Sequence, residues 1–79
     1  MTWTHANWRV EFALEGRTCW WTPNAAIYFD TVEDVYDYLD TLDWPDLLCG
    51  RAVPPGAPYN QPIDPDDPAI YWPRFHQAV

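Results

Sequence analysis

The sequence predicts an α+β fold, in which a small antiparallel sheet of three to four strands packs against one amphipathic acidic helix and is followed by a proline-rich C-terminal segment. Three observations lead to this prediction. Apolar and polar residues alternate over Trp8–Leu14, which is typical of a strand. Apolar residues recur at helical spacing within residues 30–44. Seven of the nine prolines lie between Pro54 and Pro73. A length of 79 residues predicts one domain, residues 1–79.

The predicted strands lie within residues 1–29. In Trp8–Leu14, the even-numbered residues are apolar and form one face, while the other face includes Arg9 and Glu11. This period of two predicts a half-buried strand. Gly16 follows in a short turn, and the β-branched and aromatic residues 18–22 suggest a hairpin partner. Residues 26–29 read as a third short strand.

The predicted helix covers residues 30–44. Asp30 or Thr31 can cap its N-terminus, and Pro45 requires it to stop, because the residue before a proline is pushed out of helical geometry. One apolar face is formed at helical spacing. Its members are Val32, Val35, Tyr36, Leu39 and Leu42.

The predicted proline-rich tail covers residues 51–79. It lacks helical or strand periodicity and reads as extended, turn-rich chain packed on the core, with disorder as the alternative. Residues 69–72 are the one strand candidate, and Pro73 would keep that strand at a sheet edge.

Composition limits the classes of function. There are 12 acidic residues against four arginines and no lysine, which gives a net charge of −8 and a pI near 4.2. Nucleic acid and anionic membranes both require a basic patch, so direct binding to either is not expected. Disordered acidic chains contain few aromatic residues, whereas 18% of this chain is aromatic, which is enough to build a core. Without an apolar span or a secretory signal at the N-terminus, we expect a cytoplasmic protein, and a monomer in preference to a dimer.

Catalytic motifs are missing from the sequence. There is no serine, and a cysteine nucleophile would need Cys19 or Cys49 to meet His5 or His76. We expect both cysteines to be reduced core residues, with a single disulfide as the alternative. The sequence therefore predicts no enzyme, no cofactor and no metal site.

Acidic residues are concentrated on the predicted helix and its flanks, and we call six of them the acidic stripe. These six are Asp30, Glu33, Asp34, Asp37, Asp40 and Asp43. Between Thr18 and Gly50 there is no Lys, Arg or His. Like charges three or four residues apart destabilise a helix, and acids near its C-terminal end oppose its dipole. A role other than folding would explain this cost, although a solvated helix face is the simpler alternative.

The spacing of the acidic stripe suggests an imitation of DNA. On one continuous helix rising ~1.5 Å per residue, its six acids would cover ~20 Å, or one charge per ~4 Å. One DNA strand carries a phosphate every ~3.4 Å of axis. Tyr36, Tyr38 and Trp44 would then supply aromatic contacts to a basic partner.

The passage from the third strand to the helix resembles part of a known group of proteins. The residues that carry the resemblance are Phe29, Asp30, Thr31, Val32 and Glu33, followed by Val35, Tyr36 and Leu39. Together with the acidic stretch, they resemble small acidic anti-CRISPR proteins of phages and prophages. The resemblance implies an inhibitor in the host bacterial cytoplasm that binds a type I surveillance complex, type I-C as the first expectation, and excludes target DNA.

Two alternatives keep the acidic surface but change the partner. One is a small acidic adaptor or antitoxin-like protein that binds a basic protein for reasons unrelated to DNA. The other is an inhibitor of a restriction enzyme, which would use the same mimicry against a different DNA-binding protein.

Overall fold

Over the residues that the structure describes, four strands and one helix form the α+β fold that the sequence predicts. The computed structural model describes residues 7–23 and 26–73. In chain order the elements are β1 (Trp8–Leu14), β2 (Tyr28–Phe29), α1 (Val32–Asp40), β3 (Leu47–Val53) and β4 (Ile70–Tyr71). They form one antiparallel sheet with the strand order β2-β1-β3-β4, so that β1 and β3 are central.

The central strand β3 was not predicted. Arg51, Ala52 and Val53 belong to it, so the predicted assignment of residues from 51 onward to an extended tail is wrong for these three. Leu48 is an extra residue in the pairing with β1, because Ala13 opposes Cys49 while Leu14 opposes Leu47. Such a bulge breaks the alternation of side chains by which a strand is recognised in a sequence.

Helix α1 packs on one face of the sheet. Val35 and Leu39 are fully buried there with Val10 and Phe12 of β1. Gly50 of β3 makes this approach possible, since a Cβ at that position would lie 2.6 Å from both δ-carbons of Leu39. The Leu39 side chain therefore fills the space that a side chain at position 50 of β3 would occupy.

Helix α1 is shorter than predicted, ending at Asp40 instead of residue 44. At its end, the backbone N–H groups of Thr41 and Leu42 donate to carbonyls three residues back, at 3.0 and 3.2 Å. The Thr41 hydroxyl also donates to the Tyr38 carbonyl, at 2.6 Å. A threonine hydroxyl that bonds a nearby backbone carbonyl competes with further helix, so the last turn tightens well before Pro45.

The second face of the sheet is also covered, which corrects the prediction of a half-buried β1. Arg9 and Glu11 are fully buried, and Ala13 is 2% exposed. The described part of the proline-rich segment crosses this face, where Ile63 and Ile70 pack against a cluster of Ala13, Trp20 and Cys49. Residues 74–79 of the predicted tail lie outside the described residues.

The remaining strand predictions are met in part. Residues 18–22 form no regular hairpin strand; instead Trp21 bridges Phe12, and Cys19 bridges Pro62. Strand β2 is half as long as predicted, whereas β4 lies at the sheet edge as expected. Gly16 has a φ of 86°, the left-handed conformation that favours glycine in its predicted turn.

Candidate functional site

The acidic stripe lies on α1 and on the two loops that flank it. Glu33, Asp34 and Asp37 are exposed on the helix, and Asp30 and Asp43 are exposed before and after it. The helix of nine residues is ~13.5 Å long at ~1.5 Å per residue. The predicted spacing of six acids along one continuous helix is therefore wrong, because Asp30 and Asp43 are outside the helix.

The N-terminal end of α1 holds its acids at a favourable position. Thr31 is the N-cap, and its hydroxyl accepts the backbone N–H of Asp34 at 3.1 Å. Glu33 and Asp34 lie in the first turn, where the helix dipole stabilises negative charge by ~0.3–1 kcal/mol each. The last turn contains no basic residue. Asp37 and Asp40 lie toward the C-terminal end of the helix, where the dipole disfavours negative charge, and no positive charge on the helix itself offsets this effect.

Asp40 differs from the rest of the acidic stripe because it is half-buried and hydrogen-bonded. The Tyr71 hydroxyl donates to Asp40 Oδ2 at 2.7 Å. The Tyr71 ring stacks on Tyr36, with ring centroids 4.4 Å apart and an interplanar angle of 11°. Asp40 and Tyr36 therefore fix α1 to the edge strand β4, a role that the sequence did not reveal.

Tyr38 and Trp44 are half-buried and contact the core. The Tyr38 ring lies 5.3 Å from Phe29 and 6.5 Å from Phe12. The Trp44 ring lies 4.9 Å from Phe12 and 6.5 Å from Trp21. These contacts orient the helix and its exit loop, so any contribution of the two rings to partner binding comes from their exposed edges.

A buried ionic cluster lies beneath the sheet on the face opposite α1. Glu11 is at its centre, with Oε2 accepting from Arg9 Nη2 at 2.8 Å and Oε1 accepting from Arg51 Nε at 2.9 Å. Arg51 Nη2 is also 2.8 Å from Oε1, as an ion pair without good hydrogen-bond geometry. The Thr22 hydroxyl donates to Oε2 at 3.4 Å. The single negative charge of Glu11 is thus shared between the guanidinium groups of Arg9 and Arg51.

The same cluster holds the proline-rich segment on the sheet. Arg9 Nη1 donates to the carbonyls of Pro55 and Ala57, both at 2.9 Å. Arg51 Nη1 donates to Asp67 Oδ2 at 2.6 Å. Aromatic rings complete the packing, with Tyr59 4.2 Å from the Arg9 guanidinium carbon and Trp20 4.7 Å from that of Arg51.

Asp67 is ionised in this arrangement. The backbone N–H of Ala69 donates to its carboxylate and is the main cause that lowers the pKa of Asp67, with Arg51 lowering it further against the opposing effect of partial burial. Because the folded-state pKa is lowered, ionised Asp67 stabilises the fold above its ordinary pKa of ~4. That contribution is lost as the pH falls through the lowered value.

The cluster leaves the surface strongly acidic. It contains two arginines and two carboxylates, so its net charge is zero, and the formal charge of −8 is carried elsewhere. Within residues 7–23 and 26–73, the exposed basic side chain is Arg17. Over the same ranges, nine acidic side chains are exposed: Glu15, Asp30, Glu33, Asp34, Asp37, Asp43, Asp46, Asp64 and Asp66.

The two cysteines are free thiols; Cys49 is buried in the core as predicted, whereas Cys19 is only half-buried. Burial raises the pKa of the Cys49 thiol to about 11, so it stays protonated at neutral pH and is a poor nucleophile. His5 and His76, considered above as partners for a cysteine, lie outside the described residues. Among the residues that are described, no group of three or more His, Cys, Asp or Glu side chains is placed to hold a metal ion.

Comparison with protein-family models, with curated proteins and with solved structures gave no significant match. No helix in the described part of the chain is long and apolar enough to cross a membrane.

Proposed function

We propose that this protein inhibits a bacterial CRISPR surveillance complex by occupying a basic DNA-binding surface. The observation that carries the proposal is the charge of the described surface. This surface exposes nine acidic side chains and one basic side chain, that of Arg17. The choice of a type I complex rests on the resemblance of the Phe29–Glu33 junction to anti-CRISPR proteins. An inhibitor of such a complex would act in the bacterial cytoplasm.

The proposed mechanism is competition with DNA phosphates. Glu33, Asp34 and Asp37 would pair with Lys or Arg side chains that line the DNA channel of the complex, with Asp30 and Asp43 extending the contact on either side. The capped helix is held against the sheet, so little conformational entropy would be lost on binding. Attraction between opposite charges would make association fast and strongly dependent on salt.

Neutralising the helix acids tests this proposal. We expect the triple variant Glu33→Gln, Asp34→Asn, Asp37→Asn to lose affinity by roughly three- to a hundredfold, because each exposed ion pair contributes ~0.2–1 kcal/mol. The measurement is capture of the surveillance complex from a type I CRISPR-bearing lysate by the tagged protein, followed by titration of the purified complex at two salt concentrations.

A control with the same change in net charge separates the stripe from charge in general. The triple variant Glu15→Gln, Asp64→Asn, Asp66→Asn neutralises three exposed acids that lie outside the helix. It should bind like the wild type. Equal binding by all three proteins would refute the role of the stripe and favour the adaptor alternative. Capture of a restriction enzyme in place of the CRISPR complex would keep the mimicry but change its target.

A further inference from the structure

A cleft next to the end of β1 is lined by two tryptophans and an aspartate. Its volume is about 330 Å³, and its lining residues are Leu14, Trp21, Trp44, Pro45 and Asp46. Pockets for small molecules span ~300–1,000 Å³, so this cleft is at the small end of that range. It is large enough for one side chain of a partner protein.

The walls of the cleft are fixed by the core. Trp21 exchanges two backbone hydrogen bonds with Phe12, at 2.8 and 2.9 Å, and the Trp44 ring lies 4.9 Å from the Phe12 ring. The two indoles are 6.5 Å apart with an interplanar angle of 65°. Because Phe12 is fully buried, both indoles rest on a rigid support and the cleft exists before anything binds.

The charge around the cleft is negative. Asp46 is an exposed member of its lining. Asp43 is exposed directly before Trp44. No basic side chain occurs among the described residues that line the cleft. The complementary occupant is therefore a cation that can also cover apolar surface.

The protein already binds its own arginines with this combination of groups. Arg9 lies over the Tyr59 ring and pairs with Glu11, while Arg51 lies over the Trp20 ring and pairs with Glu11. A guanidinium is flat and weakly hydrated, so it stacks on an aromatic face and pairs with a carboxylate at the same time. The more strongly hydrated ammonium of lysine suits this arrangement less well.

We propose that the Trp21–Trp44 cleft binds an arginine side chain of the basic partner protein. The guanidinium lies against an indole and pairs with Asp46, as Arg51 does with Trp20 and Glu11 in the core. This inference rests on the proposed function, because it takes the partner to be a basic protein. It adds a point of specificity, since the exposed helix acids accept lysine and arginine alike.

Titration of the intact protein with N-acetyl-arginine amide tests the cleft by itself. The readout is the indole N–H signals of Trp21 and Trp44 in ¹H–¹⁵N NMR spectra, with the other tryptophans as internal controls. We expect saturable shifts of these two signals, weaker shifts with N-acetyl-lysine amide, and none with the uncharged N-acetyl-citrulline amide. Asp46→Asn should weaken the arginine response about two- to fivefold, as expected for one exposed ion pair, whereas Asp66→Asn should leave it unchanged.

Two results would overturn the inference: an equal response to citrulline, or equal weakening by Asp46→Asn and Asp66→Asn. The outcome is separable from that of the proposed function. Arginine-specific shifts support the cleft even if the protein captures no CRISPR complex, a failure that would count against the proposed function. Capture of the complex by a protein whose indoles do not respond to arginine would refute the cleft and leave the proposed function standing.

Discussion

Replacing Glu11 by Gln should destabilise the protein by about 3–5 kcal/mol, because it removes the one carboxylate that pairs with both Arg9 and Arg51. Glu11 and Arg9 are fully buried, so water cannot replace the lost ion pair. A domain of this size has a free energy of unfolding of only ~4–12 kcal/mol. We therefore expect a largely unfolded or marginally stable variant, measured by urea denaturation with circular dichroism and tryptophan fluorescence.

Glu15→Gln is the matched control for this change. Glu15 is exposed in the turn after β1, so the same substitution there should alter the free energy of unfolding by no more than ~0.5 kcal/mol. A loss below ~1 kcal/mol in the Glu11→Gln variant would show that the cluster does not hold the proline-rich segment on the sheet.

Replacing Phe12 by Ala should cost about 3–5 kcal/mol, the usual effect of truncating a buried aromatic side chain. Phe12 lies in β1 and is fully buried on the face of the sheet that α1 covers. Its ring contacts those of Trp21, Tyr38 and Trp44, at centroid distances from 4.9 to 6.5 Å. Without it, the two indoles of the cleft would lose their support along with the core contacts. Urea denaturation again gives the free energy.

Two further variants calibrate this result. Phe12→Leu keeps most of the buried volume and should cost only ~1–2 kcal/mol. Tyr28→Ala removes an aromatic ring that is 43% exposed and should cost less than either change at Phe12. If Phe12→Ala were no more destabilising than Tyr28→Ala, the assignment of Phe12 to the centre of the core would be wrong.

Local periodicity was enough to predict part of the fold. Alternation identified β1 at its observed bounds, and helical spacing identified the face of α1 that includes Val35 and Leu39. Strand β3 escaped because it is covered on both faces and interrupted by the bulge at Leu48, so its residues do not alternate. The early end of α1 depends on Thr41, whose hydrogen bond to the backbone has no strong signature in the sequence.

The candidate site was predictable where it depends on exposure alone. Glu33, Asp34 and Asp37 are exposed as the helical spacing suggested. The partnership of Asp40 with Tyr71 was not predictable, because it joins residues 31 positions apart. The buried cluster was missed for a related reason. Arg9 and Glu11 read as the solvent face of a strand until the proline-rich segment is known to cover them.

The pairing of arginines inside the molecule explains how a small domain can present so acidic a surface. Arg9 and Arg51 are used in the core, where they attach a segment without regular structure to the sheet. They are therefore unavailable to screen the exposed acids. In this account, the same residues that stabilise the fold also leave the helix free to bind a basic partner.

The proposal that this protein occupies a DNA-binding surface is tested most directly by competition between the protein and target DNA for a purified type I surveillance complex. We expect the apparent Kd for DNA to rise linearly with the concentration of the protein. For the same effect, the Glu33→Gln, Asp34→Asn, Asp37→Asn variant should need a concentration roughly three- to a hundredfold higher than that of the wild type. A ternary complex that holds DNA and the protein together, with an unchanged Kd for DNA, would contradict it.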